Sequence, residues 1–180
     1  MEEAKVKMPE VEEVVEFTSM ISAKYLSLPN VWGAMDGLKV MLEAAGDDRM
    51  QNMFYNGWKC DHYISNLFLF SPNGKICACF FNAPGTVHDS MMANMSGIYE
   101  KIDQVYVQTG AKVVMDSAFG KLERSSMVKS FATNLDKNGN PRQLNSVNRD
   151  TMSVWQLSEW GMRGLQGLFP RLKERIPWEE

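Results

Sequence analysis

The chain reads as an α/β fold, a mixed sheet flanked by helices, on three observations. Two short apolar runs, Val31–Gly37 and Val113–Met115, deliver one carboxylate each, Asp36 and Asp116, as buried strands do when they carry a charge to an edge. Between them lie two β-prone runs joined by Ser71-Pro72-Asn73-Gly74, where Asn-Gly supplies the positive-φ positions of a tight hairpin. A helical stretch then separates this hairpin from the second carboxylate strand, as a crossover to a parallel strand requires.

The elements follow in order. Glu2–Glu16 is acid-rich with Val11, Val14 and Val15 among the charges, and reads as an N-terminal helix, an acidic lead-in over residues 1–30. Pro29-Asn30 breaks the chain before the first strand, which can run on through Leu42; Glu43–Asn56 reads as a polar connection or short helix. His62–Phe70 and Lys75–Phe81 form the hairpin. Asp89-Ser90 can cap a helix over about Met91–Ile102, with Met92, Met95, Ile98, Tyr99 and Ile102 at helical spacing as core filler. After Asp116 the stretch 121–150 lacks a clear period and reads as an excursion from the main fold. Thr151 to about Lys173 is a long helix whose Trp155, Glu159, Met162, Gln166 and Phe169 share one face. Gly161, Gly164 and Gly167 recur on it, either for close approach of another backbone or because the helix is broken there. Residues 176–180 form a short tail.

Composition narrows the class. With 180 residues, 44% of them apolar, the chain can bury a core without disulfides. Cys60, Cys77 and Cys79 are odd in number and have no spaced Cys or His pair beside them, which favours small buried hydrophobes in a reducing compartment over zinc. No run is apolar and long enough to span a membrane, and the acidic start is wrong for a secretory signal, so an intracellular protein is expected. The net charge is −3, yet residues 1–111 hold 8 Lys/Arg against 14 Asp/Glu while 112–175 hold 11 against 6. That asymmetry permits a nucleic-acid face without requiring one.

A sheet that begins as a meander and crosses through a helix to a parallel strand matches the ribonuclease H-like arrangement, in which two strand carboxylates and one helix carboxylate meet at one edge. Asp36, Asp116 and Glu159 would then suit a pair of Mg²⁺ or Mn²⁺ ions about 4 Å apart, hard cations that take oxygen ligands. Each residue has a plainer reading. Asp36 before Gly37 suits a turn, Asp116 before Ser117 suits a helix cap, Glu159 suits a surface pair with Arg163, and Asp89 suits an N-cap. His62 and His88 suit structural roles.

Four blocks in one order add a family likeness. Gly33-Ala34-Met35-Asp36-Gly37, Pro84-Gly85-Thr86-Val87-His88-Asp89-Ser90, Asp116-Ser117-Ala118-Phe119-Gly120 and Glu159-Trp160-Gly161-Met162-Arg163, running on to Phe169-Pro170-Arg171-Leu172-Lys173, resemble the signature blocks of the PIF/Harbinger transposases and the nucleases derived from them, the DDE superfamily endonucleases. The resemblance implies a ribonuclease H-like DDE endonuclease domain over residues 31–175 and metal-dependent DNA cleavage and joining in the nucleus. It implies metal ligands at Asp36, Asp116 and Glu159, with Asp89 as a further ligand. His88, Ser90 and Arg163 would orient carboxylates or contact phosphate, and Lys121, Arg124, Lys129, Arg142 and Arg149 would steady the DNA backbone. Members usually carry a helical DNA-binding region upstream and further helices downstream, and commonly share target recognition with a Myb-like protein. The present chain is therefore expected to be a catalytic fragment, a shortened copy or a domesticated descendant. The competing functions are a catalytically silent module that binds a partner protein and another two-metal phosphotransfer enzyme such as a phosphatase.

Overall fold

The computed structural model describes residues 6–44, 46–119, 124–130 and 146–177. Helix α1 (Val11–Lys24) leads into β1 (Val31–Met41), α2 (Asp48–Phe54), the short β2 (Tyr55–Asn56), β3 (Asp61–Phe70) and β4 (Ile76–Pro84). Helices α3 (Asp89–Met95) and α4 (Ile98–Thr109) cross to β5 (Lys112–Asp116), which is followed by β6 (Met127–Ser130) and α5 (Ser146–Leu168).

The mixed sheet is ribonuclease H-like. β3 pairs antiparallel with β1 on one side and with β4 and β2 on the other, and β1, β5 and β6 run parallel. The β3–β4 connection is the expected tight turn: Gly74 adopts φ 83°, and its N–H donates to Ser71 C=O at 2.9 Å.

Past an irregularity between Val31 and Gly33, alternation along β1 assigns each residue to a face. Trp32, Met35, Leu67, Leu69, Val113 and Met115 pack under α1, α3 and α4 through Val14, Phe17, Met92, Ile98 and Ile102. Leu38, Val40, Phe68 and Phe70 face α5 through Met162, and Val114 does so through Val154. β1 is therefore covered on both sides, which is why its sequence is almost continuously apolar.

Several boundaries differ from those read in the sequence. Helix α1 begins after Pro9 and continues to Lys24, because its buried stripe is Val14, Phe17 and Ile21 rather than the earlier acidic segment. The single helix expected over 91–102 is two: Gly97 adopts φ 67°, stopping α3 and starting α4. The expected excursion contains β6, a four-residue strand too short to declare itself by period. Cys77 is buried and Cys79 half-buried, as strand residues should be, but Cys60 is exposed and sits in a turn at φ 52°. At the other end, Ile176 bridges Leu42, and the Arg175 guanidinium donates to Leu42 C=O at 2.9 Å, tying the chain back to the end of β1.

Helix α5 is unbroken through its glycines, and only one of them is explained by close approach. A Cβ on Gly161 would lie 2.5–2.7 Å from three carbons of the buried Phe70 ring, whereas Gly164 and Gly167 face open space. The same substitution should therefore change sign along one helix. Gly161→Ala is expected to destabilise the protein by about 1–3 kcal/mol through overpacking. Gly164→Ala and Gly167→Ala should stabilise it by up to about 1 kcal/mol through helix propensity. Urea unfolding of the three variants checks this; a stabilised Gly161→Ala would contradict the packing of α5 on Phe70.

Candidate active site

The register between β1 and β5 sets the site. Met35 pairs with Met115 in parallel, so the next residues, Asp36 and Asp116, lie side by side on adjacent strands, about 4.8 Å apart at the backbone. Both point to the face covered by α5, because Ala34 and Val114 share their parity. Asp36 sits across from Phe68 and two residues before the buried Leu38, so its carboxylate enters an otherwise apolar surface.

Two further carboxylates approach from other elements. Asp89 lies in the first turn of α3, and its Oδ1 is 3.7 Å from where a Cβ on Gly37 would stand. The missing side chain at Gly37 leaves that approach open on the face opposite Asp36. Glu159 lies on α5 between the buried Ser158 and the exposed Trp160. The alternative reading of Glu159, a surface pair with Arg163, does not form among the described residues, whose ion pairs include Arg124–Asp103 and Arg175–Asp61.

The electrostatics record this convergence. Burial, with added repulsion from Asp116, Asp89 and Glu159, pushes the Asp36 carboxyl up to about 7, against the pull of the Gly37 N–H. Burial also raises Asp89, with Lys39 drawing it back, Asp116 adding to the rise and His88 opposing it. Lys39 was missed in the sequence. Alternation places it on the Gly37 face that Asp89 approaches, and its Nζ lies 5.0 Å from the Tyr63 ring centre.

The two strand carboxylates are held by their own successors. Asp36 Oδ1 accepts from Gly37 N–H at 2.7 Å, and Asp116 Oδ1 accepts from Ser117 N–H at 2.6 Å and from the Ser117 hydroxyl at 3.2 Å. The turn after Asp116 is fixed by the Tyr99 hydroxyl, which donates to Phe119 C=O at 2.6 Å.

Among the described residues, no three His, Cys, Asp or Glu side chains stand close enough together to hold an ion as they are placed. The donor set nevertheless suits a hard divalent cation: Asp36 and Asp116 offer carboxylate oxygens from neighbouring strands, and burial, with added repulsion from Asp116, Asp89 and Glu159, pushes Asp36 towards protonation. A cation there would compete with the Gly37 and Ser117 N–H groups for Asp36 and Asp116.

The remaining candidates are dispersed. His88 is exposed and occupies the N-cap position of α3, where its carbonyl accepts from Met91 and Met92 N–H, each at 2.9 Å. Ser90 is half-buried beside Asp89, and Arg163 is exposed one turn after Glu159. Arg124 is engaged elsewhere, ion-paired with Asp103 and 4.7 Å from the centre of the Tyr99 ring. Lys129 lies on β6 opposite Met115, on the face away from Asp36 and Asp116, and Arg149 is exposed in the first turn of α5. Lys121 and Arg142 lie outside the described residues.

The description that matches the chain is that of the DDE superfamily endonuclease, over residues 35–180. The chain belongs to that family. No curated protein and no solved structure matches it. The matched span contains Asp36, Asp89, Asp116 and Glu159 together.

The raised Asp36 predicts an inverted pH dependence of stability for this member of the family. Between about pH 4 and pH 7 the folded protein holds a proton on Asp36 that the unfolded chain, with its ordinary value of 3.8, has released. The folded state binds more protons there, so this contribution to stability falls as pH rises through the window and levels off above it. Asp36→Asn should remove that loss. In chelator the variant is expected to be more stable than wild type at pH 8, by up to about 4 kcal/mol, with the difference shrinking towards pH 4. Chemical unfolding at both pH values measures it, and a gap independent of pH would contradict the burial of this charge.

Proposed function

We propose that the protein is a metal-dependent DNA endonuclease domain of transposase type, with Asp36, Asp116 and Glu159 as its catalytic carboxylates and Asp89 as a further ligand. The observation that carries this reading is the parallel register of β1 and β5, which aligns Asp36 with Asp116 on one face. Family membership supports the reaction class.

In this reading the chain mainly positions charge. Asp36 and Asp116 present oxygens from neighbouring strands, Glu159 on α5 would join them, and Asp89 approaches past Gly37. Two Mg²⁺ or Mn²⁺ ions held there would activate a water or 3′-hydroxyl and neutralise charge developing at phosphorus. The apolar surroundings of Phe68 and Leu38 thin out water around Asp36, which strengthens every charge interaction at that edge. Ser90 and Arg163 flank the carboxylates and are assigned to orientation and phosphate contact.

The likeness to PIF/Harbinger enzymes, a nuclear setting and a Myb-like DNA-binding companion belong to the same proposal. A chain of net charge −3, with Arg124 already paired to Asp103, brings little positive field of its own to DNA, which favours recognition shared with a basic partner.

Plasmid nicking with Mn²⁺ tests the assignment. Wild type should nick supercoiled DNA and leave a small phosphomonoester untouched. Asp36→Asn and Glu159→Gln should each lower nicking by at least about 100-fold while the circular dichroism stays that of the folded protein. Full cleavage by a folded Asp36→Asn protein would remove Asp36 from the reaction. Turnover of the phosphomonoester alone would move the protein to the phosphatases.

A further inference from the structure

Trp58 is 91% exposed, more than any other large apolar side chain among the described residues. Leaving an indole in water gives up the burial that ordinarily justifies its size. Its neighbours are nevertheless firmly built. The Asn56 side chain accepts from Trp58 N–H and from Lys59 N–H, both at 3.1 Å, and the turn closes through Cys60 in the left-handed region.

That turn is also fastened to the segment carrying Asp89. Asn56 Nδ2 donates to Gly85 C=O at 2.7 Å, and the Thr86 hydroxyl donates to Met53 C=O at 3.3 Å. A Cβ on Gly85 would stand 2.5 Å from Phe54 O and 2.6 Å from Tyr63 O, so only glycine admits this contact. The exposed indole is therefore presented on a hydrogen-bonded turn joined at its base to the block Gly85–Asp89. Nearby charge favours an anion at the tip: Lys59 is exposed, and Asp61 is neutralised by the Arg175 guanidinium at 2.7 and 2.8 Å.

We propose that the Tyr55–Asp61 turn is a base-stacking contact for the DNA strand that passes the carboxylate site, with Trp58 against the face of an unpaired nucleobase and Lys59 beside the adjoining phosphate. This rests on the nuclease reading and adds a substrate contact to it. A flat, exposed π-surface next to one cation is the chemistry that takes a base without reading its sequence. Geometry fixes the reach. Asp36 is level with Phe68 on β3, and Asp61 lies seven residues nearer the tip, roughly 23 Å along the strand. That length corresponds to roughly seven nucleotides of a stacked strand. Only DNA with an unpaired flank about that long reaches Trp58.

The test is equilibrium binding of fluorescent DNA to the whole chain with Ca²⁺ as cation, using duplexes with single-stranded flanks of about 10 or about 3 nucleotides. Trp58→Ala should weaken binding of the long-flank DNA by about tenfold or more, Trp58→Phe should restore most of it, and short-flank DNA should bind wild type and Trp58→Ala alike. Equal affinity of wild type and Trp58→Ala for the long flank would overturn the base contact, leaving the indole to a protein partner while the nuclease reading stands. Equal weakening on both flanks would overturn it too, since a distorted turn does not count nucleotides. If wild type binds neither DNA, this contact falls, while plasmid nicking remains the test of the nuclease reading.

Discussion

The structure depends on one constraint: two aspartates at the same level of neighbouring parallel strands, on a sheet face that is otherwise apolar. Like charges in such surroundings are expensive: burial, with added repulsion from Asp116, pushes the Asp36 carboxyl up to about 7. The rest of the fold works to hold that arrangement. Phe68, Leu38, Phe70 and Met162 fix β1 between β3 and α5, and Tyr99 pins the turn after Asp116 through Phe119.

The second feature is that the site is assembled from separate parts of the chain through small residues. Gly37 lets Asp89 approach, Gly85 lets the α2–β2 segment close over β3, and Gly161 lets α5 lie on Phe70. In each case the absent Cβ sets a distance between elements. The glycines at 164 and 167 meet nothing in the structure that explains them.

Much of this was legible in the sequence because it rested on local rules. The two apolar runs ending in Asp36 and Asp116 gave their strands away by composition, and Ser71–Gly74 declared its turn by residue type. What escaped was set by tertiary contacts. Strand β6 is only four residues long, and pairing with β5 rather than its own period makes it a strand. Gly97 divides a continuous apolar stripe by adopting a positive φ that several of its neighbours' types could not have forecast. Lys39, in a largely buried strand, offered a readable signal: a lysine there draws a nearby carboxylate down, as it does Asp89. The Asn56–Gly85 bond could not be read, because 29 residues separate its partners.

The account stands or falls on whether Asp36 is a crowded, half-protonated carboxyl that a divalent cation relieves. Carbon-13 NMR of the Asp side-chain carboxyls, assigned with Asp36→Asn, measures it directly across a pH series with and without Mg²⁺. The account expects one aspartate with a midpoint about 7 in chelator, moving by at least a few pH units to lower values when Mg²⁺ is added. An Asp36 midpoint at the ordinary 3.8, unmoved by Mg²⁺, would contradict it.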